Sequence, residues 1–172
     1  MKKPDSVLDI FLQPGDCYFG GAETSIRTIL GSCVAITIWH PKLMIGGMCH
    51  FMLPGGRRKA PERLNGKYAD EAMRLFMLEI ARSKTNIKDY EAKLFGGGNM
   101  FPDLTKKQSG ANIGEKNVEV TKVLSDQYGL KVVAQDMGKA GHRNVRFEVW
   151  SGNVWVKHVS KLLQTDEQGN RQ

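Results

Sequence analysis

The chain carries the run Val-Ala-Ile-Thr-Ile-Trp at residues 34–39, which is strand-like because β-branched and aromatic residues dominate it. Pro41 comes just after this run and ends the strand. A second apolar run spans Ile45–Leu53, includes two glycines near its start and stops at Pro54. The link between the two runs is short, so they are predicted to pair as a β-hairpin.

Two amphipathic helices are predicted after the hairpin and its polar, basic loop, Gly55–Lys67. Residues Tyr68–Arg82 place apolar side chains at helical spacing, with charged side chains on the other faces. Their apolar positions are Ala69, Ala72, Met73, Phe76 and Ile80. Residues Asn117–Tyr128 repeat the pattern, and Gly129 is placed to cap the C-terminal end. The side chains expected to face inward in this second helix are Val120, Val123, Leu124 and Tyr128.

The remaining apolar segments predict four more strands, with a hairpin turn at Ser151-Gly152-Asn153. These strands are Glu91–Phe95, Val132–Met137, Val145–Trp150 and Val154–Val159. The order β-β-α-β-α-β-β-β predicts an α+β fold of layered α/β character, in which a mixed β-sheet carries two main amphipathic helices. We expect one domain over residues 1–172, with frayed polar ends at 1–6 and 165–172.

Composition narrows the class of protein. The 172 residues are 41% hydrophobic and carry a formal net charge of +7. No apolar run is long enough to span a membrane and no signal peptide is recognisable, so a cytoplasmic protein that is not inserted in a membrane is expected. The positive charge favours an acidic partner, but the basic clusters lack the interleaved aromatic residues of a nucleic-acid platform. Nucleic-acid binding is therefore not predicted.

The chain has three cysteines, Cys17, Cys33 and Cys49. An odd number at wide spacing in a chain without an export signal argues against a disulfide framework. No CxxC or HxxxH spacing indicates zinc, and no metal site is predicted. A cysteine chosen at random is most often a small buried hydrophobic residue.

Cys33 differs from the other two because it follows Gly31 and Ser32 and directly precedes the first strand-like run. Small neighbours let a substrate approach the sulfur, and exposed backbone N–H groups at such a corner can stabilise an oxyanion. A thiol with an ordinary pKa is mostly protonated at neutral pH, so a nucleophilic cysteine needs a base, usually a histidine.

His50 is the candidate base, since it lies in the other strand of the predicted hairpin within an apolar run. The alternative is a core histidine bonded to a backbone carbonyl, which the residues alone favour. Thr28 is a candidate to orient the imidazole through its hydroxyl oxygen. Its alternative is an ordinary β-branched strand residue. The residues by themselves indicate no more than a candidate Cys–His site on a basic domain.

Six motifs distributed over nearly the whole chain are more specific than this pair. They are Leu12–Asp16 (Leu-Gln-Pro-Gly-Asp), Leu30–Ala35 (Leu-Gly-Ser-Cys-Val-Ala), Gly46–Pro54 (Gly-Gly-Met-Cys-His-Phe-Met-Leu-Pro), Tyr68–Met73, Ala92–Gly98 and Ile113–Asn117. With these motifs the sequence resembles the CheD family, the receptor glutamine deamidases of bacterial chemotaxis.

The resemblance implies a Cys-His-Thr triad formed by Cys33, His50 and Thr28, with Thr24 as the only other threonine near the corner. It implies deamidation of glutamines on the cytoplasmic helices of chemoreceptors, through a thioester and without metal or cofactor. Gly31 and Ser32 are then the oxyanion and substrate-positioning residues. A CheC-type phosphatase is a second partner that the resemblance allows. The alternatives are a non-catalytic adaptor and another thiol amidase or transglutaminase-like enzyme.

Two further expectations concern residues near the histidine. Arg57, Arg58 and Lys59 follow its strand closely, so they are expected beside the active-site mouth, where they would meet a glutamate-rich receptor surface. Position 49 is often Asn in the family and is Cys49 here. We expect that oxidation could join Cys49 to Cys33 as a disulfide.

Overall fold

A computed structural model of the chain describes residues 2–55, 63–100 and 112–159. Within these ranges the chain forms nine strands, two α-helices and one short 3-10 helix, Ile87–Asp89. The strands are β1 Leu8–Phe11, β2 Cys17–Gly20, β3 Thr24–Leu30, β4 Val34–His40, β5 Ile45–Phe51, β6 Glu91–Gly96, β7 Lys131–Met137, β8 His142–Glu148 and β9 Asn153–Val159. The helices are α1 Ala69–Arg82 and α2 Ile113–Tyr128.

The strands form two mixed sheets. One has the order β2-β5-β4-β6-β7 and the other the order β1-β3-β8-β9. Each contains one parallel pair, β6 with β7 and β1 with β3, beside antiparallel neighbours. This arrangement confirms the predicted α+β class with two main helices, although the strands are divided between two sheets rather than forming one.

The predicted hairpin of β4 and β5 is confirmed, with a register that runs from Val34 opposite Phe51 to His40 opposite Ile45. β4 lies between β5 and β6, and all of its residues except Trp39 are buried. A strand covered on both faces is expected to be a nearly continuous apolar run, which is the pattern that made this segment recognisable.

Three layers result. The two helices cover one face of the five-stranded sheet, where Met73, Phe76 and Leu124 pack in one apolar cluster with Ile36 and Phe51. The other face packs on the four-stranded sheet. That second cluster contains Leu12, Ile26, Leu30, Ala35, Met48, Phe95, Val145, Phe147 and Val149. The second cluster therefore separates the two sheets and borders the candidate site.

Some predicted details are wrong. The second helix begins at Ile113 rather than Asn117, because Asn112 and Glu115 form a capping box that sets its start by polar contacts. Val123 is 57% exposed rather than inward-facing, while Leu124 is buried as expected. Gly129 does cap the helix, with a left-handed φ of 63°.

Strands β1, β2 and β3 were not predicted from the sequence. Residues 2–6 form neither strand nor helix. The segment 165–172 and the basic cluster Arg57, Arg58 and Lys59 lie outside the described residues, so their predictions stay untested. Neither described α-helix is long and apolar enough to cross a membrane.

Candidate active site

His50 and Thr28 meet across the space between the two sheets. His50 lies near the end of β5 and Thr28 lies in the middle of β3, and both are 2% exposed. The Thr28 Oγ1 atom lies 2.8 Å from His50 Nδ1. The structure thus places Thr28 against the histidine, whereas Thr24 pairs with Leu8 at the other end of β3.

The turn Leu12–Asp16 wraps around this contact. The Leu12 carbonyl accepts the Thr28 hydroxyl at 2.9 Å. Gly15 N donates to the His50 carbonyl at 2.7 Å, and His50 N donates to the Asp16 carbonyl at 2.9 Å. The sequence motif at 12–16 gave no indication of this role, because its contacts are made by backbone atoms.

These bonds determine which nitrogen of His50 carries the proton. Thr28 has one hydroxyl proton and gives it to the Leu12 carbonyl, so its oxygen must accept from an Nδ1–H on the ring. The Nε2 atom then holds the lone pair. It is buried and has no hydrogen-bond partner among the described residues. The neutral ring is therefore held in the tautomer in which Nε2 can act as a base.

Burial lowers the pKa of His50 to about 4, although the nearby Asp16 carboxylate and the Leu12 backbone act in the opposite direction. The imidazole is accordingly neutral at physiological pH. A neutral imidazole is the form that can take a proton from a thiol.

Cys33 lies in the loop between β3 and β4, and this loop is bound to the glycine-rich end of β6. Gly97 N donates to the Cys33 carbonyl at 2.7 Å, and Gly98 N donates to the Gly31 carbonyl at 2.8 Å. Gly96 has a φ of 107°, and a Cβ at this position would collide with the Cys33 carbonyl oxygen. The close approach of the two backbones therefore requires glycine in β6.

The strand register relates Cys33 to His50. His50 is the direct partner of Ala35, two residues after Cys33, which makes Cys33 its diagonal neighbour. Cys33 also packs against the apolar cluster between the sheets, the side on which Ala35 and Thr28 lie. No hydrogen bond joins the thiol to His50 Nε2 in the part of the chain that the structure describes. Burial raises the pKa of Cys33, so the resting pair is a neutral thiol and a neutral imidazole.

Asn117 was not among the predicted site residues. It is fully buried in α2, and its Nδ2 atom donates to the Ser32 carbonyl and to the Met52 carbonyl, both at 2.9 Å. It therefore connects the loop that carries Cys33 with the chain just beyond His50. A buried polar residue on the inner face of an amphipathic helix is the sequence signal that could have identified it.

The predicted disulfide between Cys33 and Cys49 is contradicted by the structure. Cys49 belongs to the cluster under the helices, whereas Cys33 packs against the cluster between the sheets. The two thiols thus lie on opposite faces of the five-stranded sheet. Burial raises the pKa of Cys49 to about 12, and its cross-strand partner is Cys17. Among the described residues, no group of three or more histidine, cysteine or acidic side chains could hold a metal ion.

A family model and the similar curated proteins point to one family. The family model described as "CheD chemotactic sensory transduction" matches residues 52–158. The "Probable chemoreceptor glutamine deamidase CheD" of Pseudomonas fluorescens is 48% identical over 167 residues, which cover 96% of this chain and 94% of the relative. The protein of the same name from Pseudomonas savastanoi is 48% identical over 158 residues, covering 92% and 89%.

A solved structure of a Neisseria meningitidis protein of family model DUF152 covers 72% of this chain and 53% of its own, with a TM-score of 0.42 and 10% identity. Similarity at this level is too low to indicate a function.

Proposed function

This chain belongs to the CheD family of chemotactic sensory transduction proteins, and we propose that it converts glutamine side chains of chemoreceptors to glutamate with Cys33 as the nucleophile. His50 is the base and Thr28 orients its ring. The observation that carries the proposal is the 2.8 Å contact between Thr28 Oγ1 and His50 Nδ1, because it commits Nε2 to act as the base.

The reaction starts from two neutral groups. As the sulfur of Cys33 attacks the amide carbon, the thiol proton moves to His50 Nε2, and the carbonyl oxygen becomes an oxyanion. Backbone N–H groups of the loop around Gly31, Ser32 and Cys33 stabilise this charge. The imidazolium then protonates the departing nitrogen, ammonia leaves and a thioester remains. His50 finally removes a proton from water, which hydrolyses the thioester to glutamate and frees the thiol.

Thr28 acts through the ring of His50 rather than on the substrate. When the imidazole becomes charged, its Nδ1–H bond to Thr28 Oγ1 becomes a charge-assisted hydrogen bond and strengthens. The threonine thus stabilises the charged intermediate of the histidine as well as its orientation. Because its own proton goes to the Leu12 carbonyl, the hydroxyl remains an acceptor throughout.

The proposal includes the predictions about the substrate helices, the cellular compartment and the partners. The substrate glutamines lie on cytoplasmic receptor helices, which places the reaction in the cytoplasm. A net charge of +7 supports encounter with an acidic helix surface. Arg57, Arg58 and Lys59 remain the predicted contacts of that surface, and a CheC-type phosphatase remains a predicted partner.

The test is a direct assay on a receptor cytoplasmic fragment that contains glutamine. Mass spectrometry follows conversion of glutamine to glutamate, and a coupled assay follows ammonia. The wild-type protein is compared with Cys33→Ala and with Cys17→Ala, a control that removes a thiol outside the proposed site. We expect conversion by wild type and by Cys17→Ala but none by Cys33→Ala. A fragment that binds but is never converted would favour the adaptor alternative.

A further inference from the structure

The first turn of α2 lies close to Gly97 and Gly98, the residues just after β6 that bind the loop carrying Cys33. A Cβ at Gly114 would come within 2.7 Å of the carbonyl oxygens of both Gly97 and Gly98, so glycine permits the contact. Gly97 and Gly98 in turn bind the carbonyls of Cys33 and Gly31 through their N–H groups. One helical turn further on, this packing places Asn117 beneath the loop.

The chemistry of its two partners fixes the orientation of the Asn117 amide. Both partners are backbone carbonyls, those of Ser32 and Met52, which can only accept. Only the NH₂ group can therefore face them. The Oδ1 atom on the other side is buried and finds no partner within the described residues.

The Ser32 carbonyl belongs to the same peptide group as the Cys33 N–H. A trans peptide is planar, and its C=O and N–H point in opposite directions. A bond that fixes the carbonyl therefore also fixes the direction of the Cys33 N–H. Among the described residues no acceptor is bonded to this N–H, so it is available to an oxyanion formed beside the sulfur.

The second partner of the Asn117 amide, the Met52 carbonyl, lies close to His50 in the sequence. Met52 is two residues beyond His50, at the point where β5 has ended. One side chain thus holds the chain before the nucleophile and the chain after the base in a single geometry. A buried amide whose oxygen is unpaired is costly, and what it provides in return is a donor for both the Ser32 and the Met52 carbonyl.

We propose that Asn117 is a positioning residue for deamidation, which aims the Cys33 N–H at the oxyanion by holding the Ser32 carbonyl. This inference rests on the proposed function. A residue of this kind acts on the transition state, in which the oxyanion exists, and has little effect on the thiol itself. The alternative is a structural tie between α2 and the sheets, whose loss would disturb every property of the site together.

Two reactions of Cys33 separate these alternatives. Deamidation of a receptor peptide forms an oxyanion, whereas alkylation by iodoacetamide displaces iodide and forms none. The variants are Asn117→Asp, which keeps the shape and in its ionised form donates neither bond, and Asn117→Leu, which removes both donors without burying a charge. The control is Thr121→Val, one turn along the same buried face, where the hydroxyl donates only to the Asn117 backbone carbonyl.

Loss of one oxyanion donor typically lowers kcat by about 100- to 1,000-fold. We expect kcat of whichever Asn117 variant folds to fall by about 100-fold, with KM and the rate of Cys33 alkylation within about threefold of wild type. Thr121→Val should keep all three values. Unchanged kcat in a folded variant, or equal falls in kcat and alkylation, would overturn the inference. Wild-type turnover that survives Cys33→Ala would instead overturn the proposed function, so the two failures are distinguishable.

Discussion

Replacement of Thr28 by valine removes one hydroxyl and leaves the shape of the side chain unchanged. The hydroxyl makes two buried hydrogen bonds, a donation to the Leu12 carbonyl at 2.9 Å and an acceptance from His50 Nδ1 at 2.8 Å. Both partners would lose their bond in a place that water does not reach. Each buried group without a partner costs about 1 to 3 kcal/mol, so we expect the loss of two to lower the free energy of unfolding by about 2 to 6 kcal/mol.

The effect on catalysis follows from the charge that His50 acquires. A hydrogen bond to a charged group is worth about 1.5 to 3 kcal/mol, and each 1.36 kcal/mol of transition-state stabilisation is a factor of ten in rate. Thr28→Val should therefore lower kcat by about 10- to 100-fold. The ring should also populate both neutral tautomers, which ¹⁵N NMR of the imidazole nitrogens distinguishes directly.

Thr37→Val is the matched control, because Thr37 is equally buried in the neighbouring sheet and its hydroxyl lies 3.5 Å from the Lys93 carbonyl, a weak bond. Thr28→Ser, which restores the hydroxyl, should recover most of the activity. The reasoning is refuted if Thr28→Val loses the expected stability but keeps kcat within twofold, or if Thr37→Val loses as much activity.

The pKa of His50 leads to two further predictions, and a glycine leads to a third. The pH profile of kcat/KM should have its acid limb near pH 4, where the buried His50 is protonated, and a limb near the ordinary value of 6.5 would contradict this assignment. Between pH 6.5 and 4, His50 binds a proton in the unfolded chain but not in the folded protein. The free energy of unfolding therefore falls as the pH falls. Denaturant titrations across this range should show wild type losing about 3 kcal/mol more than His50→Gln, and equal losses would count against it. Gly96→Ala should lower kcat by at least about tenfold and stability by about 2 kcal/mol, because the new Cβ strikes the Cys33 carbonyl. Gly129→Ala, where φ is also positive at 63° but a Cβ would meet nothing within 4 Å, should lose only the backbone strain of about 1 kcal/mol and keep full activity.

The parts of the fold that depend on local patterns could be predicted from the sequence. The strands β4 and β5 and the helix α1 are strongly apolar on a buried side, and clear turn residues lie at their ends. β3 was missed because its alternation of polar and apolar residues is reversed near Thr28: the polar Thr28 is buried, whereas the apolar Ile29 is 52% exposed. Strand periodicity cannot reveal a strand in which the polar residue faces inward for a hydrogen bond.

The candidate site was only partly predictable for a related reason. Cys33 directly precedes β4 and His50 lies in its hairpin partner β5, so sequence order alone brings them close. Thr28 reaches His50 only because the second sheet packs on the first, and Asn117 reaches Ser32 from a helix 85 residues further along the chain. Such contacts depend on tertiary packing, which no local pattern encodes.

The division of the strands between two sheets also determines when, during synthesis, the strands around the proposed active site become available. β3 takes its place by pairing with β8, whose last residue is roughly 100 positions beyond His50, an interval of about 5 to 20 seconds at ordinary rates of translation. Cys33 and His50 therefore leave the ribosome early, whereas β8, which pairs with β3 from Ser25 to Leu30, is made later. A chain released before β8 carries Cys33 and His50 without this partner strand of β3. The strand pairings of β3 around Thr28 are therefore complete only once synthesis has passed Glu148, the last residue of β8.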